Sequence, residues 1–302
     1  MKELRFGVHV VASSAGDEWA SVARKAEERG FSVLTLPDHL LDGCLSPFAA
    51  LGVAAEATSI LRFGTLVLNN DLRHPALVAR EVLALDWLSG GRMELGVGAG
   101  SAMSSGEHES IGVPFDDGQQ RVARLAEAVE VLDGLLRGDE VTFHGEHYHL
   151  IGDRAWPPPT QHPRPPILVG GHGRQLLQLA AERADVVGLS GKQARPLACD
   201  AVDQRIALIR NASAGRDLEL QALVQRVLVT DRPRDAAAAL REHVPELSVE
   251  DVLETPHLWI GSITSICDKV RATRERWGLS YFTVFDHDLD AVTQIVTRLT
   301  GT

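Results

Sequence analysis

At 302 residues with 44% hydrophobic content, the chain can bury a large core, and disorder is excluded. A net charge of −11 argues against nucleic acid, which needs a basic face to neutralise its phosphates. Cys44, Cys199 and Cys267 are far apart with no C-x-x-C spacing, the apolar runs are short and Met1 to Leu4 holds no apolar signal segment, so disulfides, a zinc ribbon and a membrane partner are disfavoured and a cytosolic protein is expected.

In chain order, apolar β-branched runs alternate with helical patterns. Leu4 to Val10 reads as a strand, Glu18 to Arg29 as a helix, Phe31 to Leu36 as a strand and Pro47 to Ala57 as a helix. Arg62 to Leu68, the helix Pro75 to Leu88 and the strand Met93 to Val97 follow, then a helix over Gln120 to Leu136. The second half gives strands at Ile167 to Gly170, Asp185 to Leu189, Leu220 to Thr230 and Tyr281 to Phe285, with helices at Arg174 to Arg183 and Pro196 to Arg210. Gly30, Gly90 and Gly91 stand at helix C-termini, and Pro47 and Pro75 suit first helical turns. Eight strands, most followed by helices, predict a single domain over residues 1–302, an α/β fold built as a closed (β/α)8 TIM barrel; an open doubly wound sheet is the second choice.

Ser101 to Gly118 follows the fourth strand and Asp231 to Gly261 the seventh, and both are longer than barrel loops need, so both are expected to cover the active face. A hairpin, Glu140 to Phe143 and His147 to Ile151, precedes the fifth strand on the opposite face. Its His144, His147 and His149 read as exposed polar residues, because no carboxylate or cysteine completes a ligand spacing, and no metal is expected.

G-x-S-x-G, H-E-x-x-H and P-loop patterns are all missing, so the chemistry falls to strand-end loops. Asn69, Asn70 and Gly98 to Ser101 end the third and fourth strands, where ligands of parallel sheets gather. Gly98, Ala99 and Gly100 either let a flat ligand approach the backbone or only pack the strand end. Gly170, Gly171, His172, Gly173 and Arg174 close the fifth strand and open a helix, a turn suited to a phosphate. His39, after Leu36-Pro37-Asp38, places an imidazole at the barrel mouth for hydrogen bonding or proton transfer. Glu107, His108 and Glu109 offer an acid or base, or else a solvated charged loop.

Leu61-Arg62-Phe63-Gly64-Thr65, Arg73-His74-Pro75, Leu88-Ser89-Gly90-Gly91-Arg92, Glu94-Leu95-Gly96-Val97-Gly98-Ala99-Gly100, Pro165-Pro166-Ile167-Leu168-Val169-Gly170-Gly171 and Tyr281-Phe282-Thr283-Val284-Phe285 together resemble the bacterial luciferase-like monooxygenase superfamily. Val141 to Tyr148 and Gly171 to Arg174 are similar to its F420-dependent oxidoreductase branch. The resemblance implies a TIM barrel holding coenzyme F420, or alternatively FMN, with the ring in the mouth. It implies His39 beside ring and substrate; Leu66, Val67 and Leu68 against the ring, ahead of Asn69; Gly98, Ala99, Gly100 and Ser101 along the ribityl chain; and Gly170 to Arg174 at the phosphate. It also implies a non-proline cis peptide near Leu66-Val67, and a homodimer.

The expected activity is deazaflavin-dependent hydride transfer with a small organic substrate. The alternatives are an FMN-dependent monooxygenase using oxygen and a catalytically silent ligand-binding barrel. Two departures stand out. Gly100-Ser101 and the later Glu107-His108 replace the family's Gly-Trp and Glu-Tyr, removing an aromatic wall. Gly261-Ser262-Ile263-Thr264 replaces Gly-Thr-Pro-Glu, although Ser262 can still cap the helix that follows.

Overall fold

A computed structural model describes residues 2–11, 16–190 and 197–302. The strands are β1 (Arg5–His9), β2 (Val33–Leu36), β3 (Arg62–Thr65), β4 (Leu68–Asn69), β5 (Met93–Gly98), β6 (Val141–His144), β7 (His149–Asp153), β8 (Ile167–Gly171), β9 (Val186–Leu189), β10 (Glu219–Leu223), β11 (Arg226–Val229), β12 (Leu258–Gly261) and β13 (Leu279–Phe285). The helices are α1 (Gly16–Glu28), α2 (Pro47–Ala57), α3 (Pro75–Leu88), α4 (Ser105–Ser110), α5 (Gly118–Arg137), α6 (Arg174–Arg183), α7 (Cys199–Ala212), α8 (Pro233–Arg241), α9 (Val249–Glu254), α10 (Ile263–Trp277) and α11 (Leu289–Leu299).

The main sheet has the order β3-β2-β1-β13-β10-β9-β8-β5-β4, and β3 also pairs with β5, so the parallel staves close on themselves as the expected (β/α)8 barrel. β3 and β4 are two halves of one stave. Phe63 aligns with Met93 and Leu68 with Val97 along β5, and the interruption carries the expected cis peptide, Leu66–Val67. Pro47 and Pro75 open α2 and α3, and Gly30 follows α1 at φ 79°, where a side chain would be strained.

By contacts the chain falls into two compact units. One comprises residues 1–9, 25–34 and 171–302. Its core includes Phe6, Trp259 and Phe282, whose rings lie 5.6–6.2 Å apart between centroids. Arg5 pairs with Glu219 (2.9 Å) and lies over the Tyr281 ring. After β10 comes an insertion in which β11 and β12 form a separate parallel pair, packed with α8 and α9 around Leu197, Ala237, Leu247, Val252, Leu258 and Ile260. The expected single strand Leu220 to Thr230 is therefore two. An unbroken apolar pattern marks extended chain but not its partner, and here Arg226 to Val229 pairs with Leu258 to Gly261 rather than with a stave. Ser262 does cap α10, accepting from the Ser265 N–H at 3.2 Å. The expected helix start at Pro196 lies outside the described residues; α7 begins at Cys199.

Where the chain leaves β10, His257 is fully buried and its Nδ1 donates to the Leu223 carbonyl (2.9 Å). Burial pushes its pKa from 6.5 down to about 4. The folded state thus refuses a proton that the unfolded chain binds below about pH 6.5, and stability present above that pH is lost as pH falls toward 4, by about 3 kcal/mol in all. Urea unfolding across that range should show the loss, and His257→Gln, which keeps a donor for Leu223, should reduce it. An unchanged slope in the variant would acquit His257.

The other unit comprises residues 10–24 and 35–170. Leu51, Leu61, Phe63, Leu83 and Met93 are among its fully buried side chains. The expected hairpin is present as β6 and β7, its second strand two residues later than expected because Glu127 accepts the Glu146, His147 and Tyr148 N–H groups and holds the turn open there.

Candidate functional site

The second stave delivers Pro37-Asp38-His39 at its carboxyl end. Asp38 is buried; its Oδ2 accepts the Asn69 N–H at 3.1 Å and an Arg73 guanidinium hydrogen bond. A buried carboxylate is retained only when so paired, and this one fastens the end of the second stave to the end of the third. His39 is left partly exposed beside it.

Ser101 to Gly118 is not the solvated charged loop that its composition allowed. A 3-10 turn, Ala102–Ser104, leads into α4, and Asp117 caps α5 by accepting from Gln119 and Gln120 N–H (both 2.9 Å). Glu107 and His108 are buried. Glu107 Oε2 accepts the Leu40 N–H at 2.5 Å, and Oε1 lies 2.9 Å from His39 Nδ1. A carboxylate only accepts, so Nδ1 carries the His39 proton and Nε2 is the nitrogen able to take up or release one.

His108 orients a second polar group. Asn69 Oδ1 accepts the Asp71 N–H (3.2 Å), so its Nδ2 faces His108 Nε2 (2.8 Å) and donates to it. His108 then carries its proton on Nδ1, which donates to the Pro114 carbonyl (3.2 Å). Cys44 lies nearby, donating to the Val11 carbonyl (3.1 Å); burial, with the Glu107 charge adding, pushes its pKa up, so it remains a thiol.

The glycines divide into two kinds. A Cβ at Gly96 would sit 2.0 Å from the Thr65 carbonyl oxygen, at Gly98 2.7 Å from Val67 Cγ2 and 3.3 Å from the Gly170 oxygen, and at Gly171 2.1 Å from Leu176 Cδ2. The first clash is with backbone, so packing requires Gly96; the closest atoms at Gly98 and Gly171 are side-chain methyls of Val67 and Leu176. Gly100 has φ 69° and lies against the Asn69 amide, and Ser101 beyond it is exposed. Leu66 and Val67 are partly exposed at the stave end, whereas Leu68, Asn69 and Ala99 are buried.

At Gly173 a Cβ would meet nothing within 4 Å. It is the N-cap of α6, no side chain caps the helix, and Arg174 is the first helical residue, so N–H groups and a guanidinium are available to an anion. Burial, with Arg205 adding, lowers the His172 pKa. Arg205 donates to the Ser190 carbonyl at 2.9 Å.

His39, Glu107, Asn69 and Gly98 to Ser101 thus belong to one unit, together with Gly170, and Gly171 to Arg174 to the other. Arg73 and Arg121 were not singled out by the sequence as site residues, and His108, offered there with Glu107 and Glu109 as an acid or base, instead orients Asn69. Arg121 stacks on Phe115 at 4.1 Å and would lie 3.5 Å from a Cβ at Gly100. No local spacing marks such a residue, because the backbone position it lies near is 21 residues away. On the hairpin, the His144 and His149 rings lie 5.9 Å apart. Among the described residues no group of three or more His, Cys, Asp or Glu is placed to hold a metal ion, and no helix is long and apolar enough to cross a membrane.

A (β/α)8 barrel with a His–carboxylate pair and oriented amide at its stave ends defines a barrel protein of the enzyme type, in which strand-end loops carry the chemistry. The chain belongs to the luciferase-like monooxygenase family, whose model matches residues 4–281. An F420-dependent glucose-6-phosphate dehydrogenase from Nakamurella multipartita is 32% identical over 279 residues, which is 84% of this chain and 78% of that protein. An uncharacterized protein of Mycobacterium tuberculosis is 36% identical over 186 residues, 54% of this chain, so the chain matches only 62% of that relative's length. Among solved structures, the coenzyme F420-dependent tetrahydromethanopterin reductase from Methanopyrus kandleri shares the fold with a TM-score of 0.78 at 19% identity, covering 98% of this chain and 99% of that one.

Proposed function

We propose that this protein is an F420-dependent oxidoreductase moving a hydride between the coenzyme and a small organic substrate, and that residues 1–302 work as one cytoplasmic domain. The observation that carries the reading is the His39–Glu107 pair, which leaves one imidazole nitrogen for a substrate proton at the stave ends. The relatives named for F420 support the coenzyme.

Each unit by itself offers features that suit a part of that group. The uncapped α6 N-terminus with its open Gly173 suits a phosphate, and the partly exposed Leu66 and Val67 suit the face of a flat ring. On this reading Gly170 to Arg174 bind the phosphate, Gly100 and Ser101 lie along the linking chain, and Asn69, held by His108, offers its amide near the ring. When bound, F420 accepts or supplies a hydride at its C5 carbon without readily activating oxygen, whereas FMN does both. His39 Nε2 takes the proton of an alcohol being oxidised, or returns it to a carbonyl being reduced.

Titrating purified protein with F420 and, separately, FMN tests this. Saturable quenching of F420 fluorescence is expected. Copurifying FMN with oxygen-consuming turnover would replace this reading by the FMN monooxygenase, and binding of neither would favour a silent barrel.

We further propose that it is a homodimer. α2 has no charged residue except Glu56, and Val53 of α2 and Leu77, Trp87 and Leu88 of α3 are exposed although both helices bury their other face. Light scattering should give twice the 32.7 kDa chain mass, and Leu77→Glu should give the single chain. A wild-type mass of one chain would end this proposal.

A further inference from the structure

Between α10 and the insertion that follows β10, all within one unit, lies a cleft of about 390 Å³. Pro233 of α8, Leu253 of α9, Ile260 of β12 and Ala272 and Trp277 of α10 give it apolar walls, and Lys269 stands among them. Lys269 Nζ donates to the Leu253 carbonyl, in the last turn of α9, and to the Leu258 carbonyl at 2.5 Å. An ammonium has three protons to donate. Among the described residues nothing accepts the third, and no carboxylate pairs with the nitrogen. The charges around it leave this so. Glu254 also lines the cleft, but it is exposed and makes no ion pair with Lys269. Asp203 is engaged by Arg276 (2.8 Å) and by the Trp277 indole N–H (2.6 Å), and Asp251 by the Ser248 N–H and hydroxyl. Burial holds Cys199 as a thiol, its pKa pushed up to about 11, and keeps His257 neutral above about pH 4.

A cation taken out of water without a counter-ion gives up its proton readily. Burial, offset only in part by Cys199 and Glu254, accordingly pushes the Lys269 pKa from 10.5 down to about 7. Apolar walls with a single cationic group between them suit an anion carried on a hydrocarbon body. We propose that this cleft binds a small carboxylic acid with an apolar body, the carboxylate accepting the third Lys269 proton and the body lying against Leu253, Ile260 and Trp277. Pairing with the carboxylate raises the amine pKa again. Binding therefore takes up a proton above pH 7, and it weakens there by about tenfold per pH unit. None of these residues has a part in the proposed coenzyme contacts or proton transfer, so the inference stands apart from the F420 reading.

The test titrates the full-length protein with benzoate by calorimetry between about pH 6 and pH 8, in two buffers of different ionisation enthalpy. Benzyl alcohol serves as the neutral analogue and inorganic phosphate as a bare anion. Saturable benzoate binding is expected, with close to one proton taken up per benzoate at about pH 8. Benzyl alcohol, lacking the charge, and phosphate, lacking the apolar body, should each bind about tenfold more weakly or worse. Lys269→Met should abolish benzoate binding. Ala272→Glu, at an exposed position of the cleft, keeps the amine and its two carbonyl partners; the like charge at the mouth should weaken benzoate about tenfold. Absence of saturable binding, binding without proton uptake, benzyl alcohol or phosphate binding as tightly as benzoate, or parental affinity in either variant would each overturn the inference.

Discussion

Replacing His39 by alanine is expected to lower kcat about 100- to 10,000-fold, the usual range for removing a positioned acid–base group. Coenzyme affinity should stay close to that of the parent protein, because the proposed phosphate contacts lie in Gly170 to Arg174. The effect is specific to proton transfer if added imidazole restores part of the turnover and if the limb of the pH–rate profile belonging to the imidazole disappears. Glu107→Gln separates positioning from chemistry. A glutamine can accept from one of the two donors, Leu40 N–H or His39 Nδ1–H, but its amide nitrogen cannot accept from the other. That variant should retain more activity than His39→Ala and lose the order of the loop after β2. Unaltered turnover in a His39→Ala protein that still binds F420 would remove the imidazole from the mechanism.

Gly96→Ala should be the most damaging single-methyl change in the barrel wall. Its Cβ would stand 2.0 Å from the Thr65 carbonyl oxygen, a backbone atom with nowhere to go, and 3.3 Å from Val67 Cγ1. The same stretch is stitched by Thr65 Oγ1, which donates to the Gly96 carbonyl (2.7 Å) and accepts the Gly96 N–H (3.1 Å). Adding the methyl means parting two staves where both hydrogen bonds are made, and we expect a loss of about 3 kcal/mol or more. Gly173→Ala is the control, since nothing lies within 4 Å of its Cβ position. It should fold normally, and chemical denaturation of the two proteins gives the comparison. Equal stabilities would mean that the glycine at 96 is not demanded by wall packing.

Much of the architecture was legible because a buried parallel stave and its covering helix each impose a period on the chain. Strand positions, the proline-opened helices and the long segments after the fourth and seventh staves all follow from that. What periodicity does not carry is the partner. Leu220 to Thr230 reads as one run although Leu223 ends a stave and Arg226 begins a different pairing with β12. Glu107 and His108 read as an acid or base or else as a solvated charged loop for the same reason: the groups that make their burial tolerable, Leu40 N–H, His39 and Asn69, lie about 40 to 70 positions upstream. The glycine-rich stave end allowed either ligand approach or packing, and at 96 only the position of the Thr65 carbonyl decides for packing. The cis peptide at Leu66–Val67 has no local signal and was expected only through the family resemblance.

The Glu107 clasp divides labour within two short stretches of chain. His39 and the carboxylate are anchored through a backbone amide, whereas Leu41 and Met103 are more than half exposed. Diversifying those exposed positions should leave the clasp and the folded scaffold intact, a separation that makes this barrel a tractable starting point for directed evolution.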